Sequence, residues 1–119
     1  MKKTFPKQLR LRKRWQFSST QRKGNRYHTS SLIAYFAPNR NRPIRLGITV
    51  SRKVGRAHQR NRIKRLIREA FRTSELRHQN GFNLVVIAKK ETPPHQLSSL
   101  RDELREIVNK AQSSLTQNS

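Results

Sequence analysis

Apolar positions along the chain follow the period of a strand in some segments and the period of a helix in others. In residues 44–51 every second residue is apolar, from Ile44 to Val50, which is typical of a strand with one buried face. Residues 31–37 (SLIAYFA) are rich in β-forming side chains and stop at Pro38, and residues 39–43 (NRNRP) have turn composition. The pattern predicts two strands joined by a loop.

A helix is predicted over residues 56–73, where apolar residues recur at intervals of three and four. The apolar stripe consists of Ile63, Leu66, Ile67, Ala70 and Phe71. The opposite face carries Asn61, Lys64, Arg65, Arg68 and Arg72, and Arg60 and Arg62 flank the stripe. The segment is therefore predicted to be an amphipathic helix with a basic outer face.

Three further elements complete the pattern. Sparse apolar residues from Leu11 onward support a short helix that ends before Gly24. Residues 82–88 (FNLVVIA) are almost continuously apolar, which suits a strand buried on both faces, as parallel strands usually are. The last helix has Ser99 three residues before Asp102, an approximate capping box. Its apolar stripe is formed by Leu97, Leu100, Leu104, Ile107, Val108 and Ala111.

The predicted element order is α-β-β-(β)-α-β-α, with an allowance for additional short pairing near residues 22–30. This mixed order predicts an α+β fold in which helices and a sheet form an α-β sandwich. A length of 119 residues suits one hydrophobic core. We expect a basic N-terminal arm over residues 1–10, a single domain over residues 11–112 and a frayed tail over residues 113–119.

The charge is large and unevenly distributed. The chain has 28 Lys and Arg against 6 Asp and Glu, a net charge of +22. All six acids follow residue 68, so residues 1–68 hold 21 basic and no acidic side chains, and the remainder balances at 7 − 6 = +1. Such a field needs a polyanion to offset it, which makes nucleic acid the leading partner of the N-terminal half.

Composition argues against several other kinds of function. The chain has no Cys, and its four His residues are scattered, so no structural metal site is expected. The basic half has no carboxylate for acid-base chemistry and no glycine-rich phosphate loop, so we expect no catalytic residues. No signal peptide or membrane-spanning run is evident, which predicts a cytoplasmic protein without a membrane partner.

The candidate binding residues are basic, amide and aromatic. Between residues 52 and 72 nine basic residues meet one acid, Glu69, so a partner must relieve their repulsion. Arginine outnumbers lysine, which favours bidentate phosphate contacts. Asn61 fits equally well as an RNA contact or as a helix-start residue. Among the aromatic residues we assign Trp15 and Phe36 to the core, whereas Phe17 and Tyr35 suit core packing and base stacking equally well.

The segment VSRKVGRAHQRNRIKRLIREAFR, residues 50–72, resembles the Arg-Asn-Arg motif region of the bacterial ribonuclease P protein component. Arg60, Asn61 and Arg62 stand as the motif itself, and Lys64, Arg65 and Arg68 follow in the family's register. The resemblance runs from about residue 5 to residue 111. It includes the strands IRLGITVS before the motif and FNLVVIAKK after it.

The resemblance implies an α-β sandwich in which a left-handed β-α-β crossover joins two parallel strands, against the usual right-handed rule. It also implies the partners: a catalytic RNA that uses Mg²⁺, and precursor tRNA, from which the RNA cleaves the 5′ leader. No cofactor bound by protein side chains and no protein partner are implied. The expected role is that of an accessory subunit of an endoribonuclease.

The site residues implied by the resemblance form two groups. The helix group, expected to contact the catalytic RNA, is Arg60, Asn61, Arg62, Lys64, Arg65 and Arg68. The cleft group, expected to hold the single-stranded leader between the sheet and the first helix, is Phe17, Tyr35, Ser51, Arg52 and Lys53. Gln21 departs from family members that have a second Phe there, which predicts weaker or differently shared stacking.

Two alternatives remain on the residues alone. A ribosomal or general RNA-binding protein shares the charge but predicts no preference for a 5′ leader. A helix-turn-helix regulator needs two helices joined by a tight turn, whereas the pattern places strands on both sides of the basic helix.

Overall fold

The computed structural model describes residues 10–11, 14–73, 80–89 and 96–117. In chain order the elements are α1 (Arg14–Lys23), β1 (Asn25–His28), β2 (Leu32–Pro43), β3 (Arg45–Thr49), a 3₁₀ turn (Arg52–Val54), α2 (Ala57–Arg72), β4 (Asn80–Ala88) and α3 (Leu97–Gln117). The order agrees with the prediction, and β1 provides the additional pairing expected near residues 22–30. Residues 1–9 of the predicted basic arm (residues 1–10) lie outside the described residues, and α3 extends into the segment where a frayed tail was expected.

The strands form one mixed sheet in the order β1-β2-β4-β3. β1 pairs with β2 and β2 pairs with β4 in antiparallel fashion, whereas β3 and β4 are parallel. The central position of β4 explains its apolar sequence, because both of its faces are covered and Leu84, Val85 and Val86 are fully buried. α2 follows β3 and precedes β4 in the chain, so it belongs to the parallel β-α-β connection. The left hand of that connection stays a prediction.

One face of the sheet packs against α2 and α3 to form the core. The predicted stripe of α2 is buried apart from Leu66, which is half-buried, and the predicted stripe of α3 is buried apart from Leu97. Phe36 and Phe82 meet edge to face in this core, with ring centroids 6.3 Å apart. The assignment of Phe36 to the core is confirmed.

α1 covers part of the other face of the sheet, which we call the outer face. The helix end comes so close to β2 that a Cβ on Gly24 would lie 2.3 Å from the Thr20 carbonyl oxygen and 2.7 Å from that of Phe36. Only glycine fits this approach. Nearby, the Leu11 amide donates to the Leu46 carbonyl oxygen at 3.0 Å, and Arg10 forms a parallel bridge with Leu46. These contacts fix α1 against the end of the sheet at which β3 begins.

Polar side chains of α3 hold the turn between β1 and β2. Glu103 accepts hydrogen bonds from the Thr29 hydroxyl at 2.5 Å and from the Ser31 amide at 2.7 Å. One turn further on, the Tyr27 hydroxyl donates to Glu106 at 2.7 Å, which raises the pKa of Tyr27. Lys89, after β4, donates to the Thr29 carbonyl oxygen at 2.6 Å. Two acids of α3, Glu103 and Glu106, therefore have structural partners on β1 and on the turn that follows it.

Three local predictions are wrong. β2 does not stop at Pro38: its pairing with β4 shifts there and resumes at Pro43, so 43 − 38 = 5 steps on β2 face 82 − 80 = 2 steps on β4. The turn composition of residues 39–43 therefore marks an irregularity within a strand, stabilised by Asn39, whose side chain accepts from the Arg42 amide and donates to the Pro43 carbonyl. Ser99 lies inside α3, which begins at Leu97, so it is not the capping residue.

The third wrong prediction is the assignment of Trp15 to the core. Trp15 is 65% exposed, and it lines an open depression together with Arg42 and Arg45. None of the described helices is long and apolar enough to cross a membrane.

Candidate nucleic-acid interface

The exposed face of α2 carries the predicted helix group: Arg60, Asn61, Arg62, Lys64, Arg65 and Arg68. Burial of Ile63 and Ile67 against the sheet orients the helix, so that Asn61, Arg62 and Arg65 are exposed and the other three are half-buried. A shallow depression of about 530 Å³ is lined by His58, Asn61, Lys64, Arg65 and Arg68. We call the six residues of the helix group, without His58, the α2 basic face.

The α2 basic face is not neutralised by the single acid of its helix. Glu69 pairs with Arg72, which lies one turn closer to the helix end, and this contact lowers the pKa of the Glu69 carboxyl. The helix ends at Thr73, whose hydroxyl donates to the Glu69 carbonyl oxygen at 2.7 Å and accepts from Arg101 of α3 at 3.0 Å. Glu69 thus stabilises the C-terminal end of α2.

The start of α2 is fixed by backbone contacts. The Arg56 amide donates to the Gln59 side chain at 2.9 Å, and the Arg60 amide donates to the Arg56 carbonyl oxygen at 3.0 Å. Just upstream, the Val54 amide closes the 3₁₀ turn on the Ser51 carbonyl at 3.1 Å. Ser51, Arg52 and Lys53 are exposed and connect the end of β3 to the α2 basic face.

Phe17 and Tyr35 lie at the two ends of one row of the outer face: Tyr35 belongs to the row, and Phe17 packs over Gly47 at its other end. Tyr35 and Gly47 both lie directly opposite Val85, one on each side of β4, so about 10 Å separates them. Phe17 fills the space above Gly47: a Cβ there would be 2.6 Å from the ring. Phe17 and Tyr35 are half-buried, and Val85 beneath this row is fully buried. We call Phe17, Tyr35, Ser51, Arg52 and Lys53 the α1 cleft.

The next row of the outer face leads toward residues 51–53. It contains His28, Ile33, Ile87 and Thr49, which lie opposite one another across the four strands. Ile33 and Ile87 remain half-buried, and Ser51 follows Thr49 by two residues at the same sheet edge. The structure therefore places the aromatic and the basic members of the α1 cleft at two ends of a continuous surface.

Sequence reasoning missed three residues of this surface. Arg26 lies opposite Tyr35 in the register, with its guanidinium carbon 5.9 Å from the centre of the Tyr35 ring. His28 lies two residues further along β1, and Gly47 accommodates Phe17. Gly47 was recognisable as the small residue of an alternating strand, but Arg26 and His28 lie in a strand too short to give a period.

The environment of His28 is cationic. Partial desolvation and the charges of Arg26 and Lys89 lower the pKa of the imidazole below its ordinary value of 6.5. The group therefore favours the neutral form near pH 7, and it marks the β1 side of the outer face as a region of positive potential.

Comparison with known proteins identifies the family of the chain. The family model for ribonuclease P matches residues 5–112. The ribonuclease P protein component of Desulfosudis oleivorans is 42% identical over 108 residues, which make up 91% of this chain and 89% of that protein. That of Chlamydia caviae is 39% identical over 117 residues, 97% of this chain and 83% of that protein.

Solved structures give the same result. The RNase P protein from Thermotoga maritima matches with a TM-score of 0.74 and 32% identity, covering 85% of this chain and 96% of that one. A Staphylococcus aureus RNase P protein mutant with defective mRNA degradation activity matches with a TM-score of 0.77 and 30% identity, covering 89% and 90%.

The fold and these surfaces define a class of protein: a basic α+β protein that carries the α2 basic face and the α1 cleft. The chain belongs to the ribonuclease P protein family. Membership implies a role in tRNA processing as the protein component of an endoribonuclease complex whose partner is an RNA subunit.

Proposed function

We propose that the chain binds the catalytic RNA of ribonuclease P through the α2 basic face and holds the 5′ leader of precursor tRNA in the α1 cleft. In this way it assists endonucleolytic removal of the leader in tRNA 5′ maturation. The observation that carries the proposal is the row in which Tyr35 lies about 10 Å from Gly47, the residue over which Phe17 packs, on an outer face leading to exposed Arg52 and Lys53.

The α1 cleft combines the two features that single-stranded RNA needs. Half-buried aromatic rings offer stacking surfaces that are already held in place by packing, and every base has a face to stack on them. The exposed cations at residues 51–53 and Arg26 neutralise phosphates along the strand. A duplex could not use these rings, because its bases are already stacked.

The α2 basic face suits a structured RNA. Its cations project from one rigid helix, and Asn61 adds an amide donor and acceptor between two arginines. Guanidinium groups bind phosphate oxygens in a bidentate manner, which fixes orientation as well as affinity. We therefore assign this face to the catalytic RNA.

The chemistry of cleavage falls to the RNA and its Mg²⁺ in this proposal. Glu103 and Glu106 already accept hydrogen bonds from the sheet, and Glu69 is paired with Arg72. The residues of the α1 cleft and the α2 basic face are neutral or cationic, a donor set that suits RNA phosphates and not a divalent metal. The side chains bind, orient and neutralise, and Mg²⁺ would supply the activated nucleophile on the RNA.

Reconstitution tests the proposal. The protein is combined with its catalytic RNA and a precursor tRNA at low Mg²⁺, where leader removal should be faster with the protein than with RNA alone. Precursor tRNA should bind the holoenzyme more tightly than mature tRNA does. A general RNA-binding protein would show no difference between the two tRNAs.

The protein without RNA should cleave neither precursor tRNA nor an mRNA. The mRNA is included because the matched Staphylococcus aureus structure is of a mutant with defective mRNA degradation activity. Cleavage by a preparation shown to be free of RNA and of other nucleases would contradict the assignment of all chemistry to the RNA.

A further inference from the structure

A polar depression of about 630 Å³ lies on the flank of α1 opposite the α1 cleft. Trp15 and Phe17 are two residues apart, which separates them by about 200° around the helix axis. Phe17 therefore packs over Gly47 toward the cleft, and Trp15 lines the other flank together with the irregular part of β2. This surface, the Trp15 depression, is distinct from both groups of residues described above.

Trp15 is the only large hydrophobic side chain among the described residues that is exposed. Folding does not explain its position, because most of the ring remains in water and contributes little buried area. An indole held on a helix and beside a concave surface is, however, a stacking platform for a planar ligand.

The neighbours of Trp15 specify the ligand further. Arg42 and Arg45 line the depression, and residues 1–68 contain no acid that could neutralise them within this lining. Asn39 fixes the segment that carries Arg42, through its hydrogen bonds with the Arg42 amide and the Pro43 carbonyl, both at 3.1 Å. The Asn83 side-chain oxygen accepts from Asn39 at 3.2 Å, which leaves the Asn83 amide hydrogens as donors facing the depression.

An aromatic platform, two guanidinium groups and an amide donor together match a base and its phosphate. We propose that the Trp15 depression is a second RNA subsite, in which an unpaired nucleotide stacks on Trp15 and its phosphate contacts Arg42 and Arg45. The inference rests on the proposed function only in that the chain binds RNA. The nucleotide belongs either to a distal part of the leader or to the catalytic RNA, and the same chemistry serves both.

Trp15 is the only tryptophan in the chain, so its fluorescence reports directly on the subsite. The holoenzyme is formed from the full chain and catalytic RNA at physiological salt, and labelled tRNA monitors binding independently. Quenching on addition of catalytic RNA alone identifies that RNA as the source. Quenching that appears only with precursor tRNA, and only above a certain leader length, identifies the leader.

Affinity measurements complete the test. Trp15→Ala should weaken binding of the RNA that quenches by at least about fivefold, and Trp15→Phe should recover part of the loss. Arg42→Ala should weaken the same RNA and reduce the salt dependence of binding. Controls are Ser18→Ala, an exposed position on α1, and Arg105→Ala, an exposed cation on α3. Because Trp15 is exposed, the melting temperature of Trp15→Ala should stay within a degree or two.

The outcomes separate the two proposals. If the wild-type protein fails to bind catalytic RNA and precursor tRNA, the proposed function is wrong. If both RNAs bind, but Trp15 fluorescence is unchanged and Trp15→Ala binds like the wild type, the proposed function stands and the second subsite is ruled out.

Discussion

The ring of Phe17 occupies the space that a side chain on Gly47 would need, with the glycine's missing Cβ only 2.6 Å from the ring. Gly47 follows Leu46, which is buried in the core, and successive residues of a strand face opposite sides of the sheet. Gly47 therefore faces the outer side. The absence of a side chain at this one position of β3 therefore lets α1 bring an aromatic ring down onto the sheet. The position of the α1 cleft depends on this pair.

We predict that Gly47→Ala displaces the Phe17 ring. Overpacking should lower the free energy of unfolding by about 1–3 kcal/mol, and precursor tRNA should bind the holoenzyme more weakly. The check is a double-mutant cycle with Phe17→Ala, measured by urea unfolding. In the Phe17→Ala background the ring no longer blocks a Cβ at position 47, so most of the cost should disappear, and only the close approach of 3.1 Å to the Leu11 Cβ remains. An equal cost in both backgrounds would mean that the two residues do not interact.

Phe17→Ala should weaken the binding of precursor tRNA but not of mature tRNA, and it should lower stability only moderately. If the ring stacks a leader base, the holoenzyme should lose about 1–3 kcal/mol of affinity for precursor tRNA. Mature tRNA has no leader and should bind almost unchanged. Because Phe17 is only half-buried, we expect the unfolding free energy to fall by about 1–2 kcal/mol. Equal losses for both tRNAs in a strongly destabilised protein would assign Phe17 to packing alone.

The α2 basic face should bind mainly through phosphates. Arg60→Ala or Arg62→Ala should each weaken binding of the catalytic RNA by about 1–3 kcal/mol where the contact is bidentate. Each lost phosphate contact should also flatten the plot of log affinity against log salt by about one unit or slightly less. Arg105→Ala, which removes an exposed cation from α3, is the matched control. Unchanged affinity and slope in both α2 variants would remove this helix from the RNA interface.

His28 predicts how stability depends on pH. Its folded-state pKa lies below the unfolded value of about 6.5, because of desolvation and the charges of Arg26 and Lys89. The unfolded chain therefore binds the proton more readily, so this contribution to stability is fully present above pH 6.5 and is lost as the pH falls through the lowered pKa.

The melting temperature of His28→Gln should consequently fall less than that of the wild type between pH 7 and pH 5. Arg26→Gln removes one of the repelling charges and should give an intermediate slope. Melting curves in low-salt buffers across that range are the measurement. Parallel curves for all three proteins would show that His28 does not couple to folding.

How far the sequence predicts the molecule depends on the range of the interactions involved. The apolar periods of α2, α3 and β3 arise because each element buries one face against a neighbouring layer. These periods can be recognised in the local sequence, and together they predict the fold class. Trp15 was assigned to the core because a large aromatic residue is usually buried. Its exposure is decided by how α1 rotates once Phe17 meets Gly47, a contact between residues 30 positions apart.

The irregularity in β2 shows the same limit. Pro38 and the turn-like composition after it predict a strand end, because proline cannot donate to a ladder. The strand nevertheless resumes. The Asn39 side chain accepts a hydrogen bond from the Arg42 amide and donates one to the Pro43 carbonyl oxygen, and Pro43 pairs again with Asn80. The residues of the α1 cleft and the α2 basic face were named from the Arg-Asn-Arg resemblance, and their roles stay predictions until the binding measurements are made.

Glu103 joins α3 to the turn between β1 and β2, and its loss should be costly although it belongs to neither the α1 cleft nor the α2 basic face. Its carboxylate accepts from the Thr29 hydroxyl and the Ser31 amide, and Thr29 is only 8% exposed. Glu103→Ala leaves both donors without this acceptor, and an unsatisfied buried donor costs about 1–3 kcal/mol. We therefore expect the unfolding free energy to fall by an amount within that range, because the Thr29 hydroxyl keeps a longer contact of 3.4 Å to the Leu32 carbonyl oxygen.

Glu103→Gln keeps one side-chain oxygen in place and should recover part of the loss, since the amide can still accept one or both hydrogen bonds. Asp102→Ala, which removes an exposed acid from the neighbouring position, should change stability by less than about 0.5 kcal/mol. Urea unfolding of the four proteins distinguishes these specific hydrogen bonds from a general effect of charge in a chain of net charge +22. If Glu103 were only a counter-charge, Asp102→Ala and Glu103→Ala would be equally destabilising and Glu103→Gln would recover nothing.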